Sequence, residues 1–339
     1  MRAGAVTAAT VERVSDLALI AAATAGDEEA FGRLVARHRR ELHIHCYRLL
    51  GSFEDAEDAL QDTLVRAWRH RAGFDGGPNY RAWLYKIATN TTLDLIRARK
   101  RRVPAAGSYA DIPWLQPYPD RLLDEAAPAE DQPDAVVVAK ETIELAYLAT
   151  IQLLPPRQRA VLILRDVLAW PARETAAALD LTEAAANSAL QRARATLARH
   201  RPAPAAPSAY ERDLLRRMID AHERADAEAA LALLREDIRV TMPPLPMLFD
   251  GYATVEPLLR NAFGDGSIGD WKLVPVRANR MPAAASYLRK WGDSAYRAFK
   301  IDVLRVEGDK VVEMTTFDER LFPAFDLPLI WTPARDSSG

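Results

Sequence analysis

The stretch LPPRQRAVLILRDVLAWPARETAAALDLTEAAANSALQRARATLARH, residues 154–200, constrains this chain most. Pro155 and Pro156 end any preceding helix, because proline lacks the N–H that a helix interior requires. Leu162, Leu164, Val167 and Leu168 mark one apolar helix, and Pro171 opens a second with its fixed φ. Asp180-Leu181 supplies a short turn, and the Thr182 hydroxyl is placed to cap a third helix. That helix is amphipathic: Ala186, Leu190, Ala193 and Leu197 fall on one side, and Asn187, Ser188, Gln191, Arg192 and Arg194 on the other. The pattern is a helix-turn-helix whose last helix suits a DNA major groove.

Bulk properties limit the alternatives. A length of 339 residues allows two or three domains, and a formal net charge of −2 excludes a general polyanion-coating protein. DNA binding must therefore rest on local charge. A single cysteine, Cys46, forbids an intrachain disulfide. No apolar run reaches the roughly 20 residues of a membrane helix. The N-terminal segment mixes acids into its apolar part, unlike a secretory leader. These features predict a cytoplasmic protein without a membrane role.

The organisation reads as follows: residues 1–26 lead in; 27–102 form a helical module ending in the basic run Arg97 to Arg102; 103–134 make an acidic, proline-containing linker; 135–200 hold the helix-turn-helix. A Pro/Ala-rich linker spans 201–208, an α+β domain 209–331 and a disordered tail 332–339. Composition predicts an extended 103–134 segment, within which Trp114, Leu115 and Tyr118 are set to anchor on something. In the last domain two helices are expected over 210–235, with strands at Ile238 to Met242, Trp271 to Val276, Tyr296 to Val306 and Val311 to Phe317. The final two are joined by a Gly-containing hairpin turn, Glu307-Gly308-Asp309-Lys310.

Two further helices carry chemistry. In EDAEDALQDTLVRAWR, residues 54–69, Ala56, Leu60, Leu64 and Trp68 form the apolar face, and acids crowd the first half. An acidic face is either simply solvated or a docking surface for a basic protein. In YRAWLYKIATNTTLDLIRARKRR, residues 80–102, Tyr80, Trp83 and Tyr85 sit among Arg81 and Lys86, a pairing suited to unstacked bases and their phosphates. Trp83 and Ile87 also fit a helical core. His43, His45 and Cys46 diverge around a helix and cannot converge on one tetrahedral ion; neither a metal nor a cofactor is expected.

These motifs, with FDGGPNYRAWLYKIATNTTLDLIRARKRR and LPPRQRAVLILRDVLAW, resemble domains 2 and 4 of bacterial sigma-70-type initiation factors of the extracytoplasmic-function (ECF) group, over residues 27–200. Residues 205–331 resemble a SnoaL-like, nuclear-transport-factor-2-like domain, which subgroups of that family carry together with a linker segment like PWLQPYPD. The resemblance implies a multidomain fold, two all-α sigma modules followed by an α+β SnoaL-like cone. It implies a non-enzymatic subunit that binds core RNA polymerase and directs promoter-specific initiation.

By the same resemblance, Asp55, Asp58, Gln61, Asp62 and Arg66 would bind the clamp of the largest polymerase subunit, and the helix around Leu154, Val161, Leu162 and Leu164 the β flap. The loop Phe74 to Asn79, with Asn79, Tyr80 and Trp83, would pocket a flipped −10 base, and Lys86, Asn90, Asp94, Arg97, Arg99 and Lys100 would face the promoter. Ala185, Asn187, Ser188, Gln191, Arg192 and Arg194 would meet the −35 element. Many relatives have Lys and Arg where this chain has Asn187 and Ala189, so the resemblance implies weaker phosphate contact there.

The cone would modulate activity, with a possible small ligand; its candidate polar groups are His222, Asp226, Tyr252, Tyr287, Asp293 and Tyr296. Two other readings remain open. One is a stand-alone helix-turn-helix regulator with a ligand-sensing domain, which leaves the helices at 54–69 and 80–102 without a purpose. The other is an enzymatic cone, which a cavity filled by Phe249, Trp271 and Phe299 would oppose.

Overall fold

A computed structural model describes residues 17–74, 79–99, 112–125, 142–200, 210–263 and 268–331. They divide into two compact units. One holds the described residues within 17–99, 122–125 and 150–200; the other holds those within 112–121, 142–149 and 210–331.

The first unit is all helical. Helix α1 covers residues 17–25, α2 Glu28–Leu50, α3 Phe53–His70 and α4 Tyr80–Ala98. Asp27 caps α2 by accepting from the Ala30 N–H at 3.0 Å, and Ser52 caps α3 through the Asp55 N–H at 3.3 Å. Gly51 joins them at φ 69°, a left-handed conformation that suits glycine at a helix end. The core of the three-helix packing is Leu42, Leu49, Leu50, Leu60 and Leu84, each with no exposed surface.

Beyond α5 (Asp120–Asp124) and α6 (Leu145–Gln152), the helix-turn-helix takes the expected form with one refinement. Helix α7, Pro156–Leu162, does not stop where its α hydrogen bonding ends but widens into a π turn, Ile163–Val167. Helix α8 is Ala172–Ala178 and α9 is Glu183–His200, whose first turn receives the Thr182 hydroxyl at the Ala185 N–H, 3.1 Å. Ala186, Leu190 and Ala193 of α9 are buried, as is Ala189. A cation at 189 would therefore point inward, so of the two absent cations only the one at Asn187 lies on the exposed face.

The second unit is α+β. Helices α10 (Glu211–Glu223), α11 (Ala227–Leu231) and α12 (Tyr252–Phe263) accompany a seven-stranded sheet of order β2-β1-β6-β5-β4-β3, with β7 beside β5. Strands are β1 Leu234–Thr241, β2 Leu248–Asp250, β3 Gly269–Ala278, β4 Met281–Lys290, β5 Tyr296–Glu307, β6 Lys310–Asp318 and β7 Ile330–Trp331. Strands β1 and β6 are parallel and the other pairs antiparallel. The hairpin at Gly308-Asp309 forms as expected, Glu307 facing Lys310.

Three expectations need correction. The second helix of 210–235 is only five residues long, and β1 begins at Leu234, because Leu233, Leu234, Ile238 and Val240 enter the sheet core. Strand β4 and helix α12 were not foreseen: Ala283, Ala284 and Ala285 carry little strand propensity, and Pro257 interrupts a helical pattern. Lastly, Leu115 and Tyr118 do anchor the segment, as expected, but residues 112–121 belong to the second unit and are not an extended linker, with Ile112, Leu115 and Tyr118 all at most 1% exposed.

Candidate functional site: nucleic-acid and polymerase surfaces, and an internal cavity

In the first unit, α3 presents Asp58, Gln61 and Asp62 to solvent. Asp55 differs: it is buried and pairs with Arg99, which also reaches Asp58 at 3.0 Å. Arg66 bonds Asp94 across α3 and α4 at 2.7 Å, and Asp94 also takes Arg97 at 2.8 Å. The acidic and basic residues predicted to serve two different partners are thus partly neutralised by one another. Exposed pairs of this kind contribute little stability and exchange readily.

The aromatic-basic helix is divided by its packing. Phe74, Tyr80 and Trp83 form a ring cluster with centroids 5.3 Å apart, and Tyr80 is buried. Arg81 is held by Glu41 through a two-pronged pair at 2.6–3.1 Å, and Tyr85 donates to the same carboxylate. That carboxyl is held below its usual range: burial alone would raise it, but His38 and Arg81 lower it. Of the positions expected at the −10 element, Asn79, Lys86, Arg97 and Arg99 are exposed, Trp83, Asn90 and Asp94 are half-buried, and Lys100 and residues 75–78 lie outside the described ones. On α9, Ala185, Asn187, Ser188, Gln191, Arg192 and Arg194 are all exposed; Arg194 forms a two-pronged pair with Asp166 at 2.7 and 2.9 Å.

The two helical modules meet within this unit. Asn90 donates to the Ala178 carbonyl at 3.3 Å, and the Tyr85 and Trp170 rings lie 6.2 Å apart. The residue that fastens them escaped the sequence reading. Arg159 is 4% exposed and donates to the carbonyls of Leu49, Ile151, Gln152 and Leu154 and to Gln152 Oε1, at 2.5–3.1 Å. Its guanidinium sits at the C-terminal ends of α2 and α6, where orphan carbonyls and the helix dipole favour a cation. Burial pulls its pKa down to about 9.

His43, His45 and Cys46 turn to separate partners. His43 lies edge-on to Phe53, His45 bonds Thr89 at 2.8 Å, and Cys46 faces Thr92. The Thr89 hydroxyl already donates to the Tyr85 carbonyl, so His45 Nε2–H is the donor to Thr89. Burial pushes both histidines down to about 3. The unfolded chain takes up protons at these rings near pH 6.5 whereas the folded chain does not, so stability is full above that pH and falls as pH drops from 6.5 toward 3. Near pH 5 the loss is expected to be about 2–3 kcal/mol per pH unit for the pair. Urea midpoints at pH 7 and pH 5 measure it, and His45→Gln should roughly halve the change.

In the second unit, β3 and β4 are joined by Asn279 and Arg280, both left-handed at φ 56° and 61°, as a type I′ turn requires. Asn279 is fully buried. Its N–H donates to the Tyr118 carbonyl at 2.9 Å, its Oδ1 accepts from the Tyr118 N–H at 2.8 Å, and its Nδ2 donates to the Ile143 carbonyl at 2.8 Å. Asp120 accepts from the Arg280 N–H at 2.7 Å and from Arg277 at 3.1 Å. The segment Pro117-Tyr118-Pro119-Asp120 is therefore clasped by a hairpin turn.

Between the sheet and its helices lies a cavity of about 590 Å³. Its wall is mostly apolar, including Trp271, Phe263 and Phe299, with His222, Asn261, Lys300, Thr316 and Asp318 as polar exceptions. Trp271 and Phe299 line the space and do not fill it. Of the six polar candidates from the sequence, only His222 reaches it: Tyr287 donates to the Pro328 carbonyl, Asp226 caps α11, and Tyr252, Asp293 and Tyr296 are not on the wall. The polar row was missed because sheet register assembles it, Lys300 beside Asp318 and Asp302 beside Thr316.

Comparison with known proteins accounts for both units. A family model of sigma-70 region 2 matches residues 34–102, and one of sigma-70 region 4 matches 144–197. The chain is 38% identical to the ECF RNA polymerase sigma factor SigG of Mycobacterium tuberculosis, over 96% of this chain and 94% of that protein. It is 32% identical to SigM of the same organism, over 55% of this chain and 84% of the relative. The crystal structure of M. tuberculosis SigJ shares the fold with a TM-score of 0.58 at 24% identity, covering 88% of this chain and 99% of that one. The helical unit and the cone that follows it in sequence are both matched in one relative, and the chain belongs to the extracytoplasmic-function group of sigma-70-type RNA polymerase sigma factors, which direct transcription initiation.

Proposed function

We propose that this sigma factor engages core polymerase through the exposed acids of α3 and the helix α7, reads promoter DNA with α4 and α9, and is modulated by its own C-terminal cone. The observation that carries the reading is the state of the recognition residues in the free chain. Asn90, Asp94 and Arg99 are each engaged inside the helical unit, and Arg159 fastens that unit at its centre. Polymerase contacts would replace these internal ones, which explains why such a chain should bind promoters poorly alone. The working compartment is the cytoplasm, where polymerase and DNA are. The cone acts as a regulatory module and not an enzyme, through its grip on residues 117–120 and a small ligand in its cavity.

Run-off transcription with core polymerase tests the central claim: full-length protein is expected to start transcripts at −10/−35 promoters of its own genome, and a complete lack of transcript overturns it. The clamp contact is tested separately. Asp62→Arg places a repelling charge on an exposed position, and is expected to weaken core binding about tenfold with an unchanged melting temperature. Equal affinity in a pull-down titration would remove α3 from the interface. A stand-alone helix-turn-helix regulator predicts that indifference.

A further inference from the structure

The cavity of the cone has a polarity that restricts what it can hold. The described charged groups of the wall are paired: Lys300 meets Asp302 at 2.9 Å, and Thr316 donates to the same carboxylate at 2.7 Å. Asp318, on the wall, is paired with Arg320 at 2.6 Å. Among the described residues no unbalanced charge is left there to meet an ionic ligand, and desolvating an ion without a counter-charge is costly.

Besides the exposed amide of Asn261, two buried neutral groups remain. Trp271 lines the cavity, and its indole N–H is buried without a hydrogen-bond partner among the described residues. His222 is 3% exposed and hydrogen-bonds the Met218 carbonyl through Nδ1 at 2.9 Å. A carbonyl only accepts, so Nδ1 carries the hydrogen and Nε2 is the acceptor that His222 brings to the wall. Burial draws its pKa down to about 4, so the ring is neutral at neutral pH. The buried part of the wall thus offers one unused donor and one acceptor inside an apolar space of drug-like size.

We infer that the cone binds an uncharged, predominantly apolar ligand that carries a hydrogen-bond acceptor for Trp271, such as a ketone oxygen, and a donor for His222, such as a hydroxyl. The inference rests on the reading of the cone as a regulatory module, and it names the chemistry that module senses.

The test titrates the full-length chain at pH 7, by calorimetry, with three matched probes: 2-hydroxy-9-fluorenone, the hydrocarbon fluorene and the anion 9-oxofluorene-2-carboxylate. The hydroxyketone is expected to bind at least tenfold tighter than either of the others. Trp271→Phe, which keeps an apolar ring, should lower that affinity about three- to tenfold, the range of one hydrogen bond, while leaving fluorene unaffected. Met314→Trp, which fills the cavity, should abolish binding of all three with the circular-dichroism spectrum retained. Preference for the anion, equal binding of hydrocarbon and hydroxyketone, undiminished binding to the filled variant, or no binding at all would each overturn the proposal. Run-off transcription with and without the hydroxyketone separates the two readings. A probe that binds with this selectivity but leaves transcription unchanged sinks the regulatory reading and keeps the ligand class. An anion that binds and shifts transcription does the reverse.

Discussion

Replacing Arg159 with methionine is expected to destabilise the helical unit by about 3–5 kcal/mol, a large part of what holds a domain of this size together. The side chain is 4% exposed and uses all five of its N–H groups, four of its acceptors being backbone carbonyls. Methionine fills similar space but leaves carbonyls near two helix ends buried with fewer donors, and each unsatisfied group costs about 1–3 kcal/mol. Arg159→Lys keeps the charge with three donors in place of five, so its loss should be roughly half as large. A urea unfolding curve measures both. If methionine is tolerated within 1 kcal/mol, as it is at some buried charged sites, the junction is held by packing alone. The same variant bears on the proposed function: with the fastening gone, Asn90 is expected to lose its hold on Ala178 and the proposed promoter-facing surface of α4 to open. Promoter affinity of the variant without polymerase should then rise.

The second large effect is expected at Asn279. Asn279→Ala removes two side-chain hydrogen bonds at 2.8 Å from a fully buried position and places alanine at φ 56°. Two orphaned backbone groups and the left-handed strain together should cost about 3–5 kcal/mol, felt locally. Residues 112–121 would be the first to lose their hold, so limited proteolysis should cut there much faster than in the parent chain. Asn279→Gly loses the same bonds without the strain and should be milder by about 1 kcal/mol. Transcription output should change in both variants if the clasp transmits the cone's influence. Faster cleavage with unchanged output would confine the clasp to a structural role, and unchanged cleavage would show that Tyr118 and its neighbours are held by burial alone.

Some of this was legible in the chain because it depends on local rules. The proline pair, the Thr182 cap and the 3.6-residue spacing of Ala186, Leu190 and Ala193 define α7 to α9 without reference to anything distant. Asp58, Gln61 and Asp62 lie on the outer face for the same reason. The Gly308-Asp309 turn likewise carries its own hairpin. The alanine-rich β4 was not readable, because it is a strand only by virtue of β3 and β5 on either side. The burial of Ala189 follows from the same spacing, which puts it beside Ala186, Leu190 and Ala193 on the inward face.

The sequence by itself therefore determined the helical modules, the amphipathic helix α9, the closing hairpin and the family. All of these follow from residues a few positions apart, or from motifs in a set order. Tertiary structure alone decided three things. It made Arg159 a fastener, by bringing the ends of two helices far apart in sequence to one guanidinium. It turned an acidic, proline-rich linker into a buried strap, because Tyr118 finds the turn at Asn279. It gave the cone a neutral cavity, because strand register sets Lys300, Asp302 and Thr316 side by side and lets their charges cancel. Each depends on contacts between residues remote in sequence, which periodicity and propensity do not encode.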